Sequence, residues 1–401
     1  MTTSAADSMP LFTLGDVAPL RGSSKLPVDL PSNAPELRLN SICPYYTMFP
    51  LRFPLRVLST AKPGQRVLDP FAGRGTTLFA ARLAGLSAVG IDSSPVAAHL
   101  STAKICYAEP DEVTALAEKA LATPADGETV PTGEFWSWAY NPATLEAVCR
   151  IRAHLLSPRS LGISPTNQDS MHLLRALMMG ILHGPRTKRL PSYLSNQMPR
   201  TYATKPAAAV RYWEKNRSHP DEISVIDVVR RRAAFTLANL PGKQDGFVLQ
   251  GDCREKLDSI SDAASFDWVV TSPPYFGMRS YVPDQWLRNW FVGGSPDVDY
   301  SENGQIGAGN EESFVDALAE VWRKTAARCS NSAKLVIRFG SLPSLRKDPA
   351  TLMKASLRSS EAWRIETIRS AGVAPSGRRQ AEQFSSTGGY VGEVDVWAKK
   401  I

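Results

Sequence analysis

The sequence lacks the cysteine patterns that build disulfide frameworks and structural zinc sites. Its five cysteines are widely scattered, with no Cys-x-x-Cys pair and no Cys/His ligand spacing. Such usage is typical of a reducing compartment, and it predicts no bound metal. We find no apolar run long enough to span a membrane, and no N-terminal basic stretch followed by an apolar core. These absences favour a cytoplasmic protein without a membrane partner.

Charge and length place only weak limits on the protein's partner and on its number of domains. The 401 residues contain 46 Lys and Arg against 39 Asp and Glu, which gives a formal net charge of +7. A positive balance suits a polyanionic partner, although many proteins that bind none share it. The length permits two or three domains, or one domain that carries a large insertion.

The first informative segment has the order strand, glycine loop, helix, strand and acid. A short apolar run ends at Asp69, residues 71–75 read Phe-Ala-Gly-Arg-Gly, and a second strand ends at Asp92. This order predicts a βαβ unit and a parallel sheet. Asp92 follows the loop by roughly 20 residues, the spacing at which an acid accepts hydrogen bonds from ribose hydroxyls. Position 78 is Leu where a dinucleotide loop has a third glycine, so an adenosyl ligand without pyrophosphate fits better.

The second informative segment is Thr-Ser-Pro-Pro-Tyr at 271–275, which directly follows an apolar strand. It could be an ordinary proline-rich turn. However, two prolines remove two N–H donors and leave carbonyls as unopposed acceptors. The aromatic ring after them offers a face for a planar base, and Ser272 adds a hydroxyl.

This loop suits methyl transfer to an aromatic amine, a poor nucleophile because its lone pair is delocalised. Acceptors beside both N–H bonds favour a tetrahedral nitrogen that can attack a sulfonium methyl in line, and fixed geometry supplies much of the rate. Methylation at cytosine C5 needs a cysteine nucleophile in a Pro-Cys context. The chain contains no Pro-Cys dipeptide, so we set that reaction aside.

Together the two segments resemble the DNA amino-methyltransferases. Asp-Pro-Phe-Ala-Gly-Arg-Gly-Thr at 69–76 is similar to the cofactor loop of that family, and Thr-Ser-Pro-Pro-Tyr is similar to its catalytic loop. Ser272 at the first loop position is typical of cytosine-N4 enzymes. The resemblance implies S-adenosylmethionine as cofactor, double-stranded DNA as partner, and an α/β Rossmann-like sheet, mostly parallel with a C-terminal antiparallel hairpin, plus a largely helical insertion.

The resemblance also assigns roles to individual residues. The segment 44–50 looks like the one that closes over the methionine moiety, and Gly251-Asp252-Cys253 looks like the strand end whose acid meets the adenine amino group. The implied catalytic residues are Ser272, Pro273, Pro274 and Tyr275. The implied cofactor-binding residues are Thr47, Phe49, Asp69, Pro70, Phe71, Gly73, Gly75, Thr76, Asp92, Ser93, Asp252 and Cys253.

The chain divides into three parts in this interpretation. Residues 1–35 form a flexible N-terminal arm, residues 36–105 and 246–401 form the catalytic domain, and residues 106–245 form a helical insertion that recognises the DNA target. In the usual arrangement of the family this insertion follows the third strand, whereas here it precedes Phe247. The recognition sequence is therefore left open.

Basic and aromatic residues crowd the middle of the insertion, between His183 and Arg217. Cations attract phosphates, and Asn and Arg can read base edges, although a solvated basic face would look the same. The predicted DNA-binding residues are Arg186, Lys188, Arg189, Asn196, Arg200 and Lys205.

Three other functions remain open. Adenine N6 methylation uses the same loop geometry, and RNA guanine-N2 methyltransferases have a similar loop that usually begins with Asp. A catalytically silent nucleic-acid binder would keep the fold without binding the cofactor. We expect a monomer, and a cognate restriction endonuclease could act separately.

Overall fold

The fold is described from a computed structural model. It describes residues 30–45, 49–123, 130–157, 165–185, 190–198, 205–261, 265–277, 282–299, 306, 310–341, 347–371 and 392–401. No helix in these ranges is long and apolar enough to cross a membrane.

The first part of the chain forms the predicted βαβ unit. A 3-10 helix at Pro35–Ser41 and helix α1 (Arg52–Leu58) lead into β1 (Arg66–Asp69), α2 (Thr76–Leu83), β2 (Ser87–Asp92) and α3 (Pro95–Ile105). Ser94 caps α3 by accepting a hydrogen bond from the Ala97 N–H, and a proline at the first helical position fits this start.

All the regular secondary structure that is described between residues 106 and 245 is helical. The helices are α4 (Pro110–Ala122), α5 (Glu134–Ala139), α6 (Pro142–Leu156), α7 (Pro165–Ile181), α8 (Pro206–Lys215) and α9 (Val225–Leu237). Helix α4 begins with a capping box between Glu109 and Glu112, and Asn141 caps α6. The helical character expected of this block is therefore present.

The remaining elements complete the sheet. They are β3 (Gly246–Gln250), α10 (Cys253–Lys256), β4 (Phe266–Thr271), α11 (Val282–Phe291), α12 (Glu311–Ala327), β5 (Cys329–Gly340), α13 (Pro349–Ser360), β6 (Trp363–Ser370) and β7 (Glu393–Lys400).

The seven strands are ordered β3-β2-β1-β4-β5-β7-β6. Strands β1 to β5 are parallel, and β7 runs antiparallel to both β5 and β6. The Rossmann-like fold class, with its C-terminal antiparallel hairpin, is confirmed. The strand order reverses at β1, because the chain first proceeds to β2 and β3 on one side and then to β4 on the other. Ligands of open α/β sheets bind outside the carboxyl ends of strands at such a point.

The core consists of three clusters of buried apolar side chains. One lies on the face of the sheet covered by α10, α12 and α13, and a second lies where α1 and α2 meet the opposite face. The third and largest joins the insertion helices to the first 3-10 helix, α3 and α11. Trp286 and Trp290 of α11 are buried in it. The insertion therefore shares a core with the helix that follows the catalytic loop.

Candidate active site

The carboxylate of Asp69 joins the two motifs. Asp69 is fully buried at the end of β1. Its Oδ1 accepts hydrogen bonds from the Phe71 N–H (3.1 Å) and from the hydroxyl of Thr271 (2.6 Å), the last residue of β4. Its Oδ2 has no hydrogen-bond partner among the described residues. Burial raises the pKa of Asp69 to about 6.

The glycine loop lies directly against α3. Gly73 and Gly75 have φ angles of 53° and 79°, in the left-handed region that favours glycine. A Cβ on Gly75 would lie 2.7 Å from the Cα of Ser101, a backbone atom that cannot easily move aside. The Ser101 hydroxyl donates a 2.8 Å hydrogen bond to the Gly73 carbonyl. The loop thus holds a fixed shape, with Pro70 and Thr76 buried beneath it and Phe71 half-buried.

The carboxylate of Asp92 lies against the same loop, as its place in the sequence predicts. Its Oδ2 accepts a 2.8 Å hydrogen bond from the Gly73 N–H, and its Oδ1 accepts one of 2.9 Å from the Ser94 N–H. Each oxygen keeps a lone pair for a further donor. Burial raises the pKa of Asp92 to about 6, and the nearby charge of Asp69 adds to this effect. The adjoining Ser93 is exposed.

The N-terminal segment flanks this position. Burial raises the pKa of Tyr45, and the charge of Asp92 adds to the effect, so the phenol lies close to that carboxylate. Phe49 is half-buried, and its ring meets that of Phe53 edge to face at 5.4 Å. Thr47 lies outside the described residues.

The end of β3 is adjacent to the end of β2, because the Gly251 N–H donates to the Asp92 carbonyl at 2.9 Å. Asp252 caps α10, and its carboxylate also accepts from the Arg254 guanidinium at 2.5 Å. This bond holds the pKa of Asp252 below its usual value. Cys253 is buried, which raises the pKa of its thiol to about 12. Asp252 therefore stands at the end of β3, next to the end of β2, and its carboxylate is already paired with Arg254.

The catalytic loop reaches the same crevice. Strand β4 pairs directly with β1, with Leu68 opposite Val269, so the loops after the two strands lie side by side. Pro273 is buried, whereas Ser272 and Pro274 are half-buried. The Ser272 hydroxyl forms no hydrogen bond with any described residue.

The Tyr275 ring is held by two strands that follow the loop in the chain. It meets Phe339 edge to face at 5.4 Å, and its hydroxyl donates a 2.9 Å hydrogen bond to Oε1 of Glu393. The ring also covers Gly340, where an added Cβ would lie 2.9 Å from Cζ. Burial raises the pKa of Tyr275 well above its usual value, and the charge of Glu393 raises it further. The sequence motif showed the ring but neither of the groups on β5 and β7 that orient it.

Arg74 is a site residue to which the sequence reasoning assigned no role. It stands between Gly73 and Gly75, is only 8% exposed, and its Nε has no hydrogen-bond partner among the described residues. Burial lowers the pKa of Arg74 to about 10. The signal available in the sequence was its position between the two glycines of the loop.

Of the cations predicted to bind DNA, the structure describes Lys205. Lys205 is exposed at the start of α8, and its charge acts on Asp284 of α11, so it lies near the helix after the catalytic loop. The remaining predicted cations fall outside the described residues: Arg186, Lys188, Arg189 and Arg200.

Asn196, which the sequence analysis predicts to bind DNA, forms its side-chain hydrogen bonds within the insertion. Its amide donates to the carbonyls of Trp138 (3.1 Å) and Ser218 (2.6 Å), and its Oδ1 accepts from the Ser218 hydroxyl (3.1 Å). Only 9% of the residue is exposed. Asn196 therefore holds the insertion together internally, and we do not include it in the DNA surface.

In the described ranges no group of three or more His, Cys, Asp or Glu side chains could hold a metal ion. The polar groups described around the glycine loop are backbone N–H groups, carboxylates and the Arg74 guanidinium.

Sequence comparison finds a matching family model and a related protein. Residues 31–103 match the model of the N6/N4 methyltransferase family, described as DNA methylase. The type II methyltransferase M.SmaI of Serratia marcescens is 30% identical over 94 residues, which are 23% of this chain and 25% of that protein. The match thus spans a quarter of the relative's own length.

Structural comparison finds only distant likenesses. The rRNA methyltransferase AviRa of Streptomyces viridochromogenes is 14% identical, with 88% of this chain and 87% of that one covered at a TM-score of 0.29. TrmN of Thermus thermophilus is 11% identical, with 91% and 53% covered at a TM-score of 0.33. Because these scores are low, the strand order itself defines the fold. Both sequence matches are to methyltransferases, and each covers less than a quarter of this chain.

Proposed function

We propose that the protein transfers the methyl group of S-adenosylmethionine to the exocyclic amine of a base in double-stranded DNA, with cytosine N4 as the favoured target. The observation that carries this proposal is the 2.6 Å hydrogen bond from Thr271 to Asp69, which fixes the glycine loop beside the Ser-Pro-Pro-Tyr loop. The family match to residues 31–103 supports it.

The residues around the glycine loop fit an adenosyl ligand. The backbone of Phe71 to Gly75 has no room for a further side chain at Gly75, and Asp69 keeps an unpaired buried oxygen. Asp92 binds the ribose hydroxyls through its free lone pairs. When bound, S-adenosylmethionine supplies an electrophilic methyl group on a sulfonium.

The other cofactor contacts follow from position. Asp252 and Cys253, at the end of β3, lie on the adenine side. Thr47 and Phe49 lie on the methionine side, with Ser93 beside Asp92. Pro70 and Thr76 support the loop from below. These assignments extend the described geometry and are part of the proposal.

The catalytic loop orients the amine. A base inside a duplex is out of reach, so the target is extruded from the stack. The carbonyls of Ser272 and Pro273 accept hydrogen bonds from its amino group, and Pro274 keeps that backbone stiff. The Ser272 hydroxyl offers the base one further hydrogen-bond donor or acceptor. Tyr275 offers its half-buried ring to the base while Glu393 fixes the hydroxyl at 2.9 Å. Because orientation supplies much of the rate, the fixed ring is part of the catalytic arrangement.

The insertion contributes the DNA surface. Lys205 lies near α11, and Arg186, Lys188, Arg189 and Arg200 precede it in the chain. Phosphate contacts of this kind position the duplex without reading its sequence. The proposal includes a monomer that acts in the cytoplasm, with a separate restriction endonuclease as a candidate partner.

Transfer of a radiolabelled methyl group tests the proposal. The protein is incubated with methyl-labelled S-adenosylmethionine and mixed-sequence duplex DNA, with folded RNA as a parallel substrate. We expect label in DNA only, and loss of that label in Tyr275→Ala with cofactor binding retained. Label in RNA alone would favour the RNA guanine-N2 reaction, and absence of cofactor binding would indicate a silent nucleic-acid binder.

A further inference from the structure

Arg74 is a buried cation whose donor groups are not fully used. It is 8% exposed, and its Nε lacks a partner among the described residues. A buried donor that loses water without gaining a partner costs free energy, and a charged one costs more. A cost of this kind at a ligand-facing loop indicates that the partner is a ligand.

Among the described residues, no carboxylate acts as a counter-charge to Arg74. Lys104 of α3 is also buried, with its ammonium on the Leu39 carbonyl and 6.0 Å from the centre of the Phe79 ring. Between Glu36 and Asp69 the sequence contains no Asp or Glu, and α3 contains none. Of the described groups, only the Cys43 thiol acts on Arg74 to favour its charge. Burial raises the pKa of that thiol, which is therefore neutral.

We propose that Arg74 binds the α-carboxylate of the cofactor's amino-acid moiety, an inference that rests on the proposed function. That carboxylate is the single anionic group of S-adenosylmethionine, and the glycine loop places Arg74 against the ligand. A guanidinium offers two parallel N–H groups that match a carboxylate. A DNA phosphate is a poorer partner, because a strand backbone cannot reach a side chain that is nine-tenths buried.

Binding measurements on two nucleosides test this assignment. S-adenosylhomocysteine carries the amino-acid moiety, whereas 5′-methylthioadenosine lacks it. We expect Arg74→Gln to weaken the binding of S-adenosylhomocysteine about 10- to 150-fold, because one hydrogen bond to a charged group contributes that much affinity. The affinity for methylthioadenosine should stay within about two-fold of wild type. Arg74→Lys keeps the positive charge but loses the two parallel N–H groups of the guanidinium, so it should recover only part of the affinity. Arg56→Gln, which removes the same charge from an exposed position on α1, is the matched control.

Thermal unfolding provides a second readout. Because Arg74 is incompletely paired in the free protein, Arg74→Gln raises the unfolding midpoint without ligand and reduces the increase that S-adenosylhomocysteine causes. A lower midpoint, with both nucleosides weakened equally, would assign Arg74 a structural role and overturn the inference. Unchanged binding of both nucleosides would also overturn it. If the wild-type protein binds neither nucleoside, the proposed function itself fails.

Discussion

Adding one methyl group at Gly340 tests how the catalytic loop is held. Gly340 ends β5, and its φ is not in the left-handed region, so alanine fits the backbone. The new Cβ would lie 2.9 Å from Cζ of Tyr275 and 3.0 Å from its Cε2 and hydroxyl oxygen. Carbon atoms in contact are normally about 3.5–4.0 Å apart, so the ring must move by roughly 0.5–1 Å.

That movement has a cost in stability and a comparable cost in rate. Overpacking of this kind costs about 1–3 kcal/mol, and the displaced hydroxyl loses its hydrogen bond to Glu393. A shift of about 1 Å in a positioning group costs roughly 100-fold in rate. We therefore expect Gly340→Ala to reduce the single-turnover rate about 100-fold, with cofactor affinity within about two-fold of wild type.

The control removes the ring instead of the glycine. In a Tyr275→Ala background the added methyl has no ring to meet, so Gly340→Ala should leave the unfolding midpoint of that variant unchanged. If Gly340→Ala alone transfers methyl groups at the wild-type rate, the position of the Tyr275 ring does not govern catalysis.

Three further predictions follow from the site. Cofactor affinity should rise between about pH 5 and 7, because Asp92 and Asp69 have pKa values of about 6 and ribose hydroxyls and a cationic ligand prefer the carboxylate form. Asp92→Asn should lower affinity about 10-fold at neutral pH and flatten this dependence, and an unchanged pH profile by calorimetry would exclude its role. Ser272→Ala should lower the rate at least about 100-fold and keep cofactor affinity, and a normal rate would remove the hydroxyl from the mechanism. Lys205→Glu should raise the KM for DNA and reduce the salt dependence of that KM. Lys354→Glu on α13, the control, should change neither quantity. Equal effects of the two substitutions would mean that Lys205 acts only through net charge.

The sequence was sufficient for the parts of the fold that local pattern determines. The glycine loop and the acids that end two strands predicted the βαβ unit, and the sheet places β1 beside β4 as the motif pairing requires. Glycine spacing and strand ends are local features, so a linear pattern can show them.

Contacts between distant segments could not be read in this way. Hydrophobic spacing predicted helices in the insertion, but it does not show that Trp286 of α11 packs into their core. Polarity placed Asn196 on a DNA surface, whereas its amide is used by Trp138 and Ser218. The sequence does not show whether an asparagine lies on the surface or inside a hydrogen-bonded network, because this depends on the fold.

The identity of the methylated nucleoside tests the central claim most directly. DNA treated with the protein and S-adenosylmethionine is digested and its nucleosides are separated by chromatography and mass spectrometry. The account predicts N4-methylcytosine and its loss in Ser272→Ala. N6-methyladenine would retain the amino-methyltransferase mechanism and correct the target base. 5-Methylcytosine, or no methylated nucleoside in DNA at all, would contradict the account.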